Sequence, residues 1–110
     1  MILDFSDLIY YTLKIFNERK NLLVKYKKKF KYILVDEFQD TNYIQAQLMH
    51  LLSKKHHNLM VVGDDDQSIY RFRGAELQNI LDFSDHYKNT KNFVLSENYR
   101  STQKVIDRSY

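Results

Sequence analysis

Three short apolar runs constrain this chain most: Tyr32-Ile33-Leu34-Val35, Leu59-Met60-Val61-Val62 and Phe93-Val94-Leu95. Each is rich in β-branched or aromatic residues, and each is broken off by polar ones: Asp36-Glu37, Gly63-Asp64-Asp65-Asp66 and Ser96-Glu97-Asn98. A continuous apolar run of this length reads as a strand buried on both faces. Between the runs the apolar period changes from continuous to helical. Phe5, Leu8, Ile9, Thr12, Leu13 and Phe16 recur at three- and four-residue steps, which predicts a helix over 4–19 capped by Asp4 or Ser6. Asn42 and Gln45 have the spacing of a capping box, with Ile44, Leu48, Leu51 and Leu52 marking a helix face to about Lys55. A third helix is expected from Glu76 to His86, with Leu77, Ile80, Leu81 and Phe83 inward. Ser101 or Thr102 is placed to cap a last one. Three strands alternating with helices predict a parallel α/β sheet. In such sheets ligands bind outside the carboxyl ends of the strands, so the polar residues after each run are expected along one edge.

The acids at those ends are chemically useful. A strand that delivers Asp36-Glu37 can hold a hydrated magnesium ion with one carboxylate and orient an attacking water with the other. The same pair also fits an ordinary acidic helix start. The stretch from Val61 to Ala75 is more telling. Asp64, Asp65 and Asp66 repel one another unless solvated or close to a cation. Gln67 can both donate and accept a hydrogen bond. Tyr70 and Phe72 alternate with Arg71 and Arg73, a pattern suited to single-stranded nucleic acid, with bases on rings and phosphates on guanidiniums. Tyr99-Arg100 could stack on a base and meet a phosphate, or could be a surface pair at a helix start.

Charge is distributed unevenly along the 110 residues. Residues 1–35 carry eight Lys/Arg against three Asp/Glu, residues 36–85 four against nine, and residues 86–110 five against two. An acidic middle between basic flanks suits a metal-nucleotide site beside a polyanion. The lysines at 25, 27, 28, 29 and 31 read as a solvated helix end and loop. There is no cysteine, which excludes disulfides, thiolate zinc sites and cysteine nucleophiles and leaves the cytoplasm as the expected compartment. No apolar run approaches a membrane span, and the first residues lack a signal-peptide pattern.

Taken together, Val35-Asp36-Glu37-Phe38-Gln39-Asp40-Thr41, Gly63 to Ala75, and Asn98-Tyr99-Arg100-Ser101-Thr102 resemble motifs II, III and IV of UvrD/Rep/PcrA-type superfamily 1 DNA helicases. Asp4 to Ile9 resembles the segment ahead of motif II. The resemblance covers essentially the whole chain. It implies a partial RecA-like P-loop NTPase domain, residues 1–110 being the C-terminal portion of a UvrD-like ATP-binding domain. By resemblance, Asp36 helps bind the magnesium of MgATP, and Glu37 is the general base. Gln67 contacts the γ-phosphate. Tyr70, Phe72 and Arg73 serve the DNA side, Phe72 as a stacking ring and Arg73 as a tie to the ATP site. Tyr99 stacks on adenine, and Arg100 reaches the γ-phosphate. The implied partners are single-stranded DNA or a single-strand/duplex junction, and the remainder of the helicase. DNA repair is the implied setting.

The sequence departs from that pattern in one respect that matters chemically. Its only glycines are Gly63 and Gly74, so the 110 residues hold no GxxxxGK[ST] loop to cradle phosphates. The expectation is therefore a functional fragment of a 3′–5′ helicase motor that does not hydrolyse ATP alone. Alternatives are a non-catalytic remnant that binds single-stranded nucleic acid or a partner, a segment of a helicase-nuclease subunit, or an inactive folded relic.

Overall fold

A computed structural model describes residues 2–64 and 83–109. Two helices open it, α1 (Phe5–Glu18) and α2 (Lys20–Lys29). Asp4 caps α1 in a reciprocal box with Asp7, each side chain accepting from the other's backbone N–H. Arg19 alone joins the helices. Its N–H donates to the Ile15 carbonyl at 2.7 Å, closing α1, while its own carbonyl accepts from Leu22 and Leu23, opening α2. The lysines at 25, 27, 28 and 29 thus lie in the later half of α2 and Lys31 beyond it, the expected helix end and loop. Their pull on the last turn is favourable, because cations at a helix C-terminus meet its unpaired carbonyls. On α1, Phe16 is buried and Ile9, Thr12 and Leu13 are half-buried, whereas Phe5 and Leu8 face solvent.

Strand β1 (Ile33–Val35) follows, then a 3₁₀ turn (Phe38–Asp40), helix α3 (Tyr43–Ser53) and strand β2 (Leu59–Val61). The strands pair in parallel, with Ile33 opposite Leu59, Leu34 opposite Met60 and Val35 opposite Val61. The Asn42–Gln45 capping box forms as expected. Side chains alternate across the sheet. Val35, Leu59 and Val61 pack against a core of Phe38, Met49 and Phe83, while Leu34 and Met60 stand on the opposite face, 72 % and 56 % exposed. Phe83 comes from α4 (Phe83–His86), its ring edge-on to Phe38 with centroids 5.6 Å apart, and Tyr87 stacks on it at 4.5 Å. Of the helix expected over Glu76–His86, only these last residues fall within the described chain.

The third expected strand is corrected. Phe93-Val94-Leu95 is not a strand but an extended stretch 86–91 % exposed, so the sheet has two strands among the described residues. Apolar content makes a segment eligible for a sheet, but a strand exists only when its backbone finds a ladder partner. Among the described residues no such partner pairs with residues 93–95. Helix α5 (Gln103–Ser109) ends the described chain, the N–H groups of Val105 and Ile106 donating to the Thr102 carbonyl. Among the described residues, no helix is long and apolar enough to cross a membrane.

Candidate nucleotide-site acids at the sheet edge

The acidic pair owes its position to one surplus residue. The Val62 N–H donates to the Val35 carbonyl at 2.8 Å, and the Val62 carbonyl accepts from the Phe38 N–H at 2.9 Å. In a regular parallel ladder the returning donor would be the residue two beyond Val35, which is Glu37. Here it is Phe38, three beyond, so Asp36 and Glu37 share a space meant for one residue and form a bulge. A bulge bends its strand and re-aims a side chain. Phe38 is fully buried and anchors the far side of the bulge. Both acids are thereby left exposed at the carboxyl end of β1, beside the exit of β2.

Glu37 takes up the distortion. It sits at φ 50°, ψ 46°, in the left-handed region that costs an L-residue about 1–2 kcal/mol. Two sets of bonds hold it there. Its N–H donates to the Asp36 carboxylate at 2.9 Å, and its carbonyl accepts from Asp40 N–H at 2.9 Å as the 3₁₀ turn begins. Its carboxylate accepts from the Gln39 side-chain amide at 2.5 Å. Gln39 is 3 % exposed, and its other end accepts from the Asp64 N–H at 3.0 Å. Gly63 lets the two chains meet. A Cβ there would stand 2.6 Å from the Gln39 carbonyl oxygen and 3.3 Å from the Phe38 nitrogen.

The structure thus brings Asp36 and Glu37 together with Gly63-Asp64, as the sheet-edge expectation requires of the first two runs. Gln67, Tyr70, Phe72 and Arg73 lie outside the described residues. Tyr99 and Arg100 are exposed at the start of the last helix, where the Asn98 side chain accepts from the N–H groups of Arg100 and Ser101, both at 3.0 Å. The Tyr99 hydroxyl donates to the Glu97 carboxylate, which with slight burial raises its pKa. Gln39 and Gly63 were given no role by the sequence, although an amide two residues past an acid, and a glycine directly after an apolar run, are visible signals.

A magnesium ion fits the chemistry of this edge in one respect. Asp36 and Glu37 offer hard oxygens open to solvent, and no cluster of three or more His, Cys, Asp or Glu side chains that could hold a metal occurs among the described residues. One or two carboxylates, with the rest of the shell from water and phosphate, is the usual manner in which magnesium is held.

The comparisons with known proteins converge on one family. Residues 1–88 match the model of the UvrD/REP helicase N-terminal domain. The chain is 50% identical over 104 residues to an ATP-dependent DNA helicase PcrA of Bacillus subtilis, covering 94% of this chain and 14% of that protein. It is 50% identical over 105 residues to the PcrA of Staphylococcus epidermidis, and 47% identical over 104 residues to that of Leuconostoc citreum. The chain therefore spans only 14% of the length of these curated relatives. With a matched model over residues 1–88, and an acid-bearing bulge formed by the residues that resemble motif II, the chain belongs to the UvrD/REP helicase N-terminal domain family.

Proposed function

We propose that this chain is part of the ATP-hydrolysing motor of a 3′–5′ DNA helicase, the later portion of a RecA-like ATP-binding domain. The observation that carries the reading is the bulge that pushes Asp36 and Glu37 out of the sheet edge while Phe38 stays anchored in the core. Asp36 holds the hydrated magnesium of MgATP, through water. Glu37 accepts a proton from the attacking water. Gln67 and Arg100 meet the γ-phosphate, and Tyr99 stacks on adenine. Tyr70, Phe72 and Arg73 touch single-stranded DNA, or a single-strand/duplex junction, in the cytoplasm. Magnesium bound there would supply positive charge against that developing on the phosphates.

The isolated chain is expected to be inactive. Positioning and electrostatics account for most of phosphoryl-transfer catalysis, and these 110 residues hold no phosphate loop. Purified alone, it shows no DNA-stimulated ATP turnover on this reading, and clear magnesium-dependent turnover would contradict it. The positive test is a graft. Residues 2–109 replace the matching stretch of the Bacillus subtilis relative, and ATP hydrolysis is measured with and without single-stranded DNA. DNA-stimulated hydrolysis within about tenfold of the host's supports the motor, a factor of ten being about 1.4 kcal/mol of barrier. A folded graft with no hydrolysis argues for a non-catalytic binding remnant instead.

A further inference from the structure

Gln39 is a buried polar side chain that the roles above leave unused. Its surroundings admit one orientation. Glu37's carboxylate can only accept, so it must face the amide NH₂, and the Asp64 N–H can only donate, so it must face the amide carbonyl. No other natural side chain of this length fits both ends. Ionised glutamate at 39 would face Glu37 with no donor. Leucine would fill the space and make neither bond, and asparagine is one methylene short. Gly63 keeps the site open at its narrowest point, where any Cβ would collide with the amide oxygen.

We propose that Gln39 is a positioning residue that hangs the Glu37 carboxylate on the exit of β2, so that the aim of the base follows the placement of the Asp64 backbone. This rests on the reading of Glu37 as the base. The physical case rests on three facts. Glu37 occupies a left-handed conformation that nearby structure must hold in place. Gln39 is almost wholly buried, so the surrounding protein fixes its amide. Asp64 directly follows Gly63 at the exit of β2, so a shift of its backbone is passed to Glu37 through a single amide. The link runs between residues 37 and 64, far apart in sequence and bridged by this side chain beside the Val62 ladder bonds.

The test is nuclear magnetic resonance on the full 110-residue chain. Four forms are compared: wild type, Glu37→Gln, Gln39→Leu, and both changes together. In wild type, the Gln39 side-chain amide protons exchange with solvent at least about tenfold slower than those of a free glutamine. Glu37→Gln shifts the Gln39 side-chain amide and the Asp64 backbone amide. In the Gln39→Leu background the Asp64 response to Glu37→Gln is lost, while the β1–β2 ladder amides keep their wild-type positions. A purely space-filling Gln39 would leave the Asp64 response intact in that background, which overturns the proposal. So does free-glutamine exchange in wild type, a readout that decides the matter if Gln39→Leu does not fold. Because none of these signals requires ATP, loss of the Glu37 base role would leave them unchanged, and the two readings fail separately.

Discussion

Gly63 and Gln39 occupy the two sides of one tight contact, and Glu37 carries backbone strain beside it. Glu37 carries a left-handed backbone because the bulge requires it, and strain of this kind persists where the surroundings over-determine it. Gly63 is different, since its constraint is space rather than torsion. Gly63→Ala forces its methyl to 2.6 Å from the Gln39 oxygen, with the Phe38 backbone as the next obstacle. The Gln39 oxygen can retreat only by giving up the Asp64 N–H. Overpacking of this sort costs about 1–3 kcal/mol. Urea unfolding of the chain is expected to show a lower midpoint with unchanged slope for Gly63→Ala, and an unchanged midpoint would mean that the 37–39–64 contact is loose.

The parallel pair β1–β2 is asymmetric, and its two faces respond differently to substitution. Phe38 is fully buried between Val35, Val61, Met49 and the edge-on ring of Phe83, so Phe38→Ala should cost about 3–5 kcal/mol and leave the chain largely unfolded. Leu34 stands on the uncovered face, and Leu34→Thr should change stability by less than about 0.5 kcal/mol. Thermal denaturation followed by circular dichroism separates the two, and equal losses would put Leu34 in a core that the structure does not show. The same core contains a pH-sensitive group. Burial raises the pKa of Tyr87 above its ordinary value. The folded state therefore holds the phenol proton more tightly than the unfolded state. The stabilisation is complete below the unfolded value of about 10 and is lost as pH rises through the folded value. Tyr87→Phe is expected to flatten the fall in melting temperature above that range, and an identical alkaline profile would remove Tyr87 from the balance.

For the whole molecule, the sequence made legible what is local. The capping boxes at Asp4 and Asn42, the helical faces, and the arrival of two acids at a strand end all follow from neighbours a few residues apart. What was not legible is non-local. Phe93-Val94-Leu95 has strand composition, but a strand needs a partner and finds none among the described residues. The first helix ends at Arg19 as its periodicity predicts, but the full length of α2 escaped it, since Lys20 to Lys29 makes a helix from residues with good helix propensity and few apolar marks. The bulge depended on Phe38 being drawn into a core built from α3 and α4, whose chemistry lies far along the chain. The clamp of Gln39 needed an acceptor two residues before it and a donor 25 positions after it. The candidate site was therefore readable as a pair of acids and not as an arrangement. Of its other members, Tyr99 and Arg100 are exposed before α5, and Gln67, Tyr70, Phe72 and Arg73 lie outside the described residues.

The base role proposed for Glu37 is open to direct kinetic measurement. The most direct measurement is single-turnover ATP hydrolysis by the grafted Bacillus subtilis relative, comparing Glu37 with Glu37→Gln in the presence of single-stranded DNA. Loss of a general base typically costs about 10²–10⁴-fold in rate. The account predicts a fall of that size with ATP binding retained. Hydrolysis at the parent rate in Glu37→Gln would contradict it.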